Sequence, residues 1–600
     1  MEAVLHRRAG GGGAPLAAAR EDVATNSFAA LSDEQRAVVD APDGRVVVLA
    51  GAGSGKTRAL THRVARLVAS GARPERVLLC TFTSRAARAL SRAAAELSGA
   101  RDAIFAGTFH QLAHRVLRER GAAIGLPASF RILDRGDAEE LLALCLDEER
   151  ADRDAARWPG ARALASLLSV AVNRQAPLAA ILRERLPRLS DEAARLEAVC
   201  DRYAAMKARH GALDFDDLLF FWKLALVEHP AVAAAERARL DHLLVDEYQD
   251  TSRLQAEIVE LYAAEHGRLT VVGDPAQAIY SFRGADPRNL VELAAERPSA
   301  RVLTLSANYR SSGEIVALAN ACLERGRAPA MVRLAAVRPP GERPTVMSAR
   351  DAEHEAAYVA ERVASGAEPA ADTAVLYRSH AHAVALELEL RRRGVPYRVR
   401  VGMRFFEQAH VKDALAYARL AYDPLDELAW RRVRRVEGAG ARRERVLDGL
   451  DRLSPPELVA RARDRYAPYA ARSFDDAGAR LDDLRALAGW ASRFSTAAEL
   501  IAEVTLADAE PVSESHALTL STVHQAKGLE WNAVLVIGLC DGRFPLAGAD
   551  LDEERRLFYV ALTRARERLY LCHALADPSG PLRASRYLDE LGPRCSRVYG

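Results

Sequence analysis

The stretch Val46-Val47-Val48-Leu49-Ala50-Gly51-Ala52-Gly53-Ser54-Gly55-Lys56-Thr57 decides the fold of this 600-residue chain. Its apolar run reads as a buried strand, and Leu60, Val64, Leu67 and Val68 follow at helical spacing. The turn between them is built for phosphate. Glycines let backbone N–H groups close around phosphate oxygens, Lys56 reaches the β/γ-phosphates, and the Thr57 hydroxyl can ligate Mg²⁺. Ala50 stands where the general pattern has its first glycine, a small departure. The competing reading, a plain glycine-rich turn between strand and helix, leaves the placed lysine and threonine unexplained.

Outward from this loop, Val77-Leu78-Leu79, Leu243-Leu244-Val245 and Leu269-Thr270-Val271-Val272 read as further strands. Alternating strands and helices imply a parallel α/β sheet. The residues between about 111 and 239 are Ala/Leu/Arg/Glu-rich and helical in pattern, so a helical insertion interrupts this core. A second strand set is expected at Val302-Leu303-Thr304-Leu305, Ala374-Val375-Leu376-Tyr377, Leu518-Thr519-Leu520, Ala533-Val534-Leu535-Val536-Ile537 and Leu569-Tyr570-Leu571. The fold class is α/β, with two parallel-sheet cores, each carrying a mainly helical insertion. The expected boundaries are a Gly/Ala-rich disordered leader at 1–26, a first core at 27–109 and 240–303, and its insertion at 110–239. A second core follows at 304–402 and 516–580, with a reduced insertion at 403–515 and a short C-terminal tail at 581–600.

Bulk properties exclude more than they assert. With 49% apolar and 28% charged residues and no apolar run near the ~20 residues that span a bilayer, a soluble, cytoplasmic protein without a membrane role is expected. The N-terminal stretch lacks the sustained apolar segment of a secretory signal. Seven scattered cysteines without a C-x-x-C pair argue against a disulfide framework, a zinc site or an iron–sulfur cluster. A net charge of +2 leaves nucleic acid neither favoured nor excluded, because phosphate binding depends on where positive charge sits. Only five lysines occur, Lys56, Lys207, Lys223, Lys412 and Lys527.

Asp246 and Glu247 end an apolar strand, where one carboxylate can hold a metal and the next can accept a proton from attacking water. Alone the pair often marks only a strand reaching solvent. Beside a phosphate loop it becomes a catalytic candidate.

In Asp246-Glu247-Tyr248-Gln249-Asp250-Thr251, with Gln255 following, the chain resembles the superfamily 1A DNA helicases of the UvrD/Rep/PcrA type, and the resemblance runs from about Leu31 to Ala565. It implies two RecA-like P-loop cores that bind ATP and Mg²⁺ and move on single-stranded DNA. Leu31-Ser32-Asp33-Glu34-Gln35 resembles the family's adenine-reading motif, which would set Gln35 against the base; a helix cap at Ser32 or Asp33 is compatible with that. The nucleotide set is then Gln35, Gly51, Ala52, Gly53, Ser54, Gly55, Lys56, Thr57 and Arg58, joined by Tyr309 on the adenine and Glu530 near the ribose. Thr57 and Asp246 would hold the metal.

For DNA, Thr81-Phe82-Thr83-Ser84-Arg85 resembles a motif in which Phe82 and Thr83 meet the strand, although the family more often has Asn-Lys at Ser84-Arg85. Gly107-Thr108-Phe109-His110 adds His110, while Leu213-Asp214-Phe215-Asp216-Asp217-Leu218-Leu219 is read as structural. The segment from Gly273 to Gly284 resembles the one that couples both ligands, with Gln277 sensing the γ-phosphate and Tyr280, Phe282 and Arg283 lining the DNA track. Phe282 stands where the family often has Trp. An aromatic pair in a sequence is more often core than platform, and its place in this motif reverses that weighting.

Asn308-Tyr309-Arg310-Ser311 and the run Glu553 to Ala565 resemble the motifs whose arginines, Arg310 and Arg564, act as fingers on the γ-phosphate. Thr522-Val523-His524-Gln525-Ala526-Lys527-Gly528-Leu529-Glu530 would place His524 and Lys527 near DNA. The catalytic set implied is Lys56, Asp246, Glu247, Gln277, Arg310 and Arg564. Tyr377-Arg378-Ser379, Gly402-Met403-Arg404-Phe405-Phe406-Glu407 and Arg434-Arg435-Val436-Glu437-Gly438-Ala439-Gly440 also follow the family, the last near a duplex contact, in an insertion shorter than in full-length members. Arg391, Arg392, Arg393, Arg398, Arg400 and Arg404 form a basic run that either tracks phosphates or is a solvated face.

The expectation is an ATP-dependent DNA helicase or translocase, 3′ to 5′ by resemblance, coupling hydrolysis between two cores to strand movement. It would act on single strands and single/double-strand junctions in repair or replication, with repair, replication or nuclease partner proteins. The alternatives are the motor subunit of a helicase–nuclease complex and a DNA-binding factor with little unwinding.

Overall fold

The computed structural model describes residues 28–99, 104–127, 129–150, 158–264, 267–295, 300–326, 331–400, 405–438, 440–474, 477–507, 516–577 and 580–599. The expected leader at 1–26, together with Gly402, Met403, Arg404 and Ala439, lies outside them. The chain divides into two compact units between Tyr309 and Arg310, with 329–334 returning to the first and 156–164 joining the second.

In the first unit, six strands form one parallel sheet: β1 (Arg45–Ala50), β2 (Val77–Thr81), β3 (Phe105–Thr108), β4 (His242–Val245), β5 (Leu269–Gly273) and β6 (Arg301–Leu305), in the order β3-β2-β4-β5-β1-β6. β2, β4 and β5 are buried along their whole length, as expected of strands covered on both faces. Because all strands run the same way, Gly51, Phe82, His110, Asp246 and Asp274 all follow carboxyl ends at one edge of the sheet, where open α/β sheets bind ligands.

One strand was expected elsewhere. Val302-Leu303-Thr304-Leu305 reads among the strands of the second core, with the expected boundary cutting it between 303 and 304, but the whole of β6 pairs with β1 from Val46↔Arg301 to Ala50↔Leu305. An apolar run carries no mark of which sheet it joins, and here the Leu305 carbonyl oxygen accepts from Gly51 N–H at 2.9 Å, closing this strand onto the phosphate loop.

The helices of residues 109–237 are not a separate body at both ends. Helices Phe109–Arg120 and Phe215–Glu228 bury Leu112, Val116, Leu218 and Trp222 in one cluster with Leu78, Val245 and Val271 of the sheet. Helix Phe215–Glu228 starts on a reciprocal cap between Asp214 and Asp217, and Lys207 Nζ donates to both carboxylates at 2.6 and 2.5 Å.

The second unit holds a seven-stranded parallel sheet: β7 (Thr345–Ala349), β8 (Thr373–Tyr377), β9 (Tyr397–Val399), β10 (Leu518–Thr522), β11 (Trp531–Val536), β12 (Ala565–Ala574) and β13 (Ser596–Tyr599), in the order β9-β10-β8-β11-β12-β7-β13. The residues expected as a tail supply helix Arg586–Leu591 and the edge strand β13, which pairs with β7. Between β9 and β10, helices including Ala409–Tyr422, Pro455–Ser473 and Ala477–Ala491 pack around Leu415, Tyr417, Leu458, Tyr466, Leu484 and Leu487. The basic run before them is largely paired internally: Arg392 and Arg393 with Glu389, Arg391 with the Tyr397 hydroxyl, Arg398 with Thr519.

Among the described residues no single helix is long and apolar enough to cross a membrane. The seven cysteines are free thiols.

Candidate active site

The phosphate loop is held in shape by hydrogen bonds within the protein. Ser54 Oγ donates to the Gly51 carbonyl oxygen at 2.8 Å, and Gln35 Nε2 donates to the Ser54 carbonyl oxygen at 3.0 Å. Gln35 also closes a capping box with Ser32, so the capping reading of that motif holds. Gly55 has φ +79°, and a Cβ there would stand 2.6 Å from Gln35 Nε2, so only glycine fits. Asn308 Nδ2 donates to the Ala52 carbonyl oxygen at 2.7 Å and Tyr309 N–H to that of Gly53 at 3.0 Å. The Tyr309 side chain is left exposed beside the loop.

Lys56 opens helix Lys56–Ala69, and its Nζ is buried with no hydrogen-bond partner among the described residues. The nearest carboxylate oxygen is Glu247 Oε1 at 3.9 Å. A buried ammonium without acceptors costs free energy unless an anion completes it. Together with the glycine cradle, this fits the phosphates of a nucleotide. Thr57 and Arg58 follow on the exposed start of the same helix, and Arg58 Nη2 reaches the Ala30 carbonyl oxygen at 3.2 Å.

Glu247 is one of two non-glycine residues with positive φ, at 53°, among the described residues. Such a conformation costs free energy and persists where the surroundings impose it. Asp246 Oδ1 accepts from Glu247 N–H at 3.0 Å, and Gln249 Nε2 donates to Glu247 Oε2 at 2.5 Å. Gln249 Oε1 in turn accepts from Asp274 N–H at 2.9 Å, and Asp274 Oδ2 accepts from Gln277 Nε2 at 2.6 Å. A continuous polar chain therefore runs from the candidate base to the candidate sensor. Burial pushes the Asp274 carboxyl above its usual range, against the pull of Lys56 and Gln277. The motif patterns carry Gln249 and Asp274 without a role for either, because a pattern shows a residue's presence and not its partners.

Beyond Gln277 the chain makes a turn at Ser281–Arg283. Tyr280 and Phe82 lie with ring planes within 4° and centroids 6.2 Å apart, Phe282 sits 6.0 Å from Tyr280, and the Arg283 guanidinium lies 5.7 and 5.6 Å from the two rings. Phe282 is 46% exposed, as a platform residue must be and a core residue is not. Thr83 caps helix Ser84–Ser98 by accepting from Ala86 N–H. His110 packs edge-on against Phe215 at 5.7 Å, and burial pushes its imidazole down to about 4. Phe215 is 47% exposed, an aromatic candidate that the structural reading of its motif passed over.

In the second unit the two candidate fingers share a residue. Arg310 donates to Glu530 Oε2 at 2.5 Å and to the Thr563 carbonyl oxygen at 3.0 Å. Arg564 Nη2 donates to the Thr563 hydroxyl at 3.0 Å, with Nε and Nη1 on the Val560 and Leu529 carbonyl oxygens at 2.9 and 3.1 Å. Arg564 is almost fully buried. Burial would raise the Glu530 carboxyl, but Arg310 and Arg566 hold it below the usual range. Glu530 directly precedes β11 and Arg564 directly precedes β12; His524 and Lys527, both half-buried, lie in the connection from β10 to β11.

Residues 31–298 match the UvrD/REP helicase N-terminal domain, and 303–448 with 473–575 match the UvrD-like helicase C-terminal domain. The chain belongs to the UvrD helicase family. It is 37% identical to ATP-dependent DNA helicase UvrD2 of Mycobacterium tuberculosis, over 94% of this chain and 82% of that one. UvrD1 of the same organism is 33% identical over 92% and 83%, and DNA helicase II of Escherichia coli is 31% identical over 94% and 88%. The order of motifs in this UvrD-family chain thus corresponds to a two-sheet architecture. Outside the motifs, two of the five lysines tie the helices of the first unit together: Lys207 braces the cap of helix Phe215–Glu228, and Lys223 joins Gln175 and Glu257 at 2.8 and 2.5 Å. Their rarity in an arginine-rich chain was the one available signal.

Proposed function

We propose that this UvrD-family chain is an ATP-driven translocase of single-stranded DNA that unwinds duplex at single/double-strand junctions, moving 3′ to 5′. The observation that carries the reading is the polar chain Glu247–Gln249–Asp274–Gln277, which starts 3.9 Å from the Lys56 ammonium and ends three residues before Tyr280. It gives the nucleotide state a physical route to an exposed aromatic platform.

In this reading Lys56 and the loop N–H groups hold the ATP phosphates, Gln35 and Tyr309 take the adenine, and Glu530 the ribose. Thr57 and Asp246 are the residues that would hold Mg²⁺, which neutralises phosphate charge in phosphoryl transfer. Glu247 accepts the proton of the attacking water, and Arg310 and Arg564 supply positive charge to the γ-phosphate. Gln277 reports the loss of that phosphate to Tyr280, Phe282 and Arg283. With Phe82, Thr83, His110, His524 and Lys527, these residues hold the strand through stacking and phosphate contacts, base–aromatic stacking being worth about 1–3 kcal/mol per base. The setting proposed is the cytoplasm, in DNA repair or replication with partner proteins of those processes.

The test is ATP hydrolysis by purified protein with and without single-stranded DNA. Stimulation by DNA that disappears in Lys56→Ala supports the proposal; undiminished hydrolysis by that variant contradicts it.

A further inference from the structure

The segment from Gln277 to Gly284 is held at both ends. Asp274 and Gln249 fix the nucleotide end. The far end is held by the helical insertion. Arg185, at the end of helix Leu178–Arg185, directs its guanidinium to the carbonyl oxygens of Ser281 at 3.3 Å and Phe282 at 3.5 Å. Gly284 has φ +86°, and a Cβ there would stand 2.8 Å from Asn173 Cβ, so the turn and helix Ala161–Arg174 touch directly. Asn173 is buried, and its Nδ2 donates to the Ser169 carbonyl oxygen at 2.9 Å and to Asp216 Oδ1 at 2.7 Å. Asp216 lies in the first turn of helix Phe215–Glu228, next to Phe215, which packs on His110.

We infer that Arg185 and Asn173 are positioning residues that fix the Tyr280–Gly284 turn, so that the helical insertion takes part in passing the nucleotide state to the DNA track. The inference rests on the roles proposed above for Gln277 and Tyr280. A displacement at Gln277 reorients the Tyr280 and Phe282 rings only if the far end of the segment stays put. Released at that end, the same displacement is absorbed by the loop. Arginine suits the task because its planar fork offers several donors in fixed geometry, enough for two adjacent carbonyl groups. Asn173 does the complementary work. It fills the space that Gly284 leaves and ties the turn to the helix that carries Phe215.

Arg185 is half-buried at a helix end, so Arg185→Ala leaves the core packing intact. The experiment measures ATP hydrolysis by the full chain against single-stranded oligonucleotide concentration for wild type, Arg185→Ala, Arg185→Lys and Asn173→Ala. In Arg185→Ala, DNA-independent hydrolysis and its KM for ATP stay within about twofold of wild type. The oligonucleotide concentration for half-maximal stimulation rises about tenfold, the order expected for one lost charge-assisted hydrogen bond. Arg185→Lys, which keeps one donor for Ser281, recovers most of the loss, and Asn173→Ala shifts the same parameter in the same direction. A general loss of folding would lower DNA-independent hydrolysis as well and would not be rescued by lysine; that pattern overturns the inference. So does an Arg185→Ala enzyme whose DNA dependence matches wild type. A wild-type enzyme indifferent to single strands overturns the functional proposal itself, and this inference with it.

Discussion

Lys56 Nζ and Glu247 Oε1 stand 3.9 Å apart, a cation and an anion facing each other across a gap too wide for a hydrogen bond. The gap separates two tasks, since Lys56 has no acceptor among the described residues while Glu247 is held by Gln249. Replacing Glu247 by Gln removes the proposed base and keeps the shape. ATP binding is expected to persist, followed by a nucleotide-exchange assay, while DNA-stimulated turnover falls by about 10²–10⁴-fold, the usual contribution of a general base.

The parallel rings of Phe82 and Tyr280 predict a different signature. Tyr280→Ala removes a stacking surface without touching the phosphate loop. The Kd for a single-stranded oligonucleotide is expected to weaken by about 1–3 kcal/mol, with KM for ATP in the absence of DNA unchanged. Fluorescence anisotropy reads the first quantity and steady-state kinetics the second.

His110 predicts an acid sensitivity. Burial holds its folded-state pKa near 4, below the ordinary value of 6.5, so the folded protein keeps the imidazole neutral where the unfolded chain takes up a proton. Stability from this group is therefore complete above pH 6.5 and is lost as pH falls towards 4, at up to about 1.4 kcal/mol per pH unit. The thermal midpoint of His110→Gln should fall less than that of wild type between pH 6.5 and 4.5.

What the sequence made legible was local. The phosphate loop, the Asp246-Glu247 pair and the Gln277-to-Gly284 segment could be read because glycine, carboxylate and aromatic spacings are written within a dozen residues. Pairings between distant residues were not legible. Val302 to Leu305 looks like any apolar strand, and only its register with Val46 to Ala50 assigns it to the first sheet. Ser596 to Tyr599 lacked strand signal because it is an exposed edge, with no buried face to impose alternation. Arg185 and Ser281 lie 96 positions apart, and Asn173 and Asp216 are 43 apart, so no spacing rule connects them. The motif Asn308-Tyr309-Arg310-Ser311 reads as one unit, yet the compact units part inside it: Tyr309 stays with Gly53 and Arg310 goes with Glu530.

ATP hydrolysis is expected to drive directional movement on one strand. Its most direct test is strand separation by the purified chain on 3′-tailed, 5′-tailed and blunt duplexes, with ATP hydrolysis followed in the same reactions. ATP-dependent unwinding of the 3′-tailed duplex is expected, with little of the others and none with Lys56→Ala. Unwinding only from a 5′ tail, or hydrolysis that DNA stimulates without any strand separation, would contradict it.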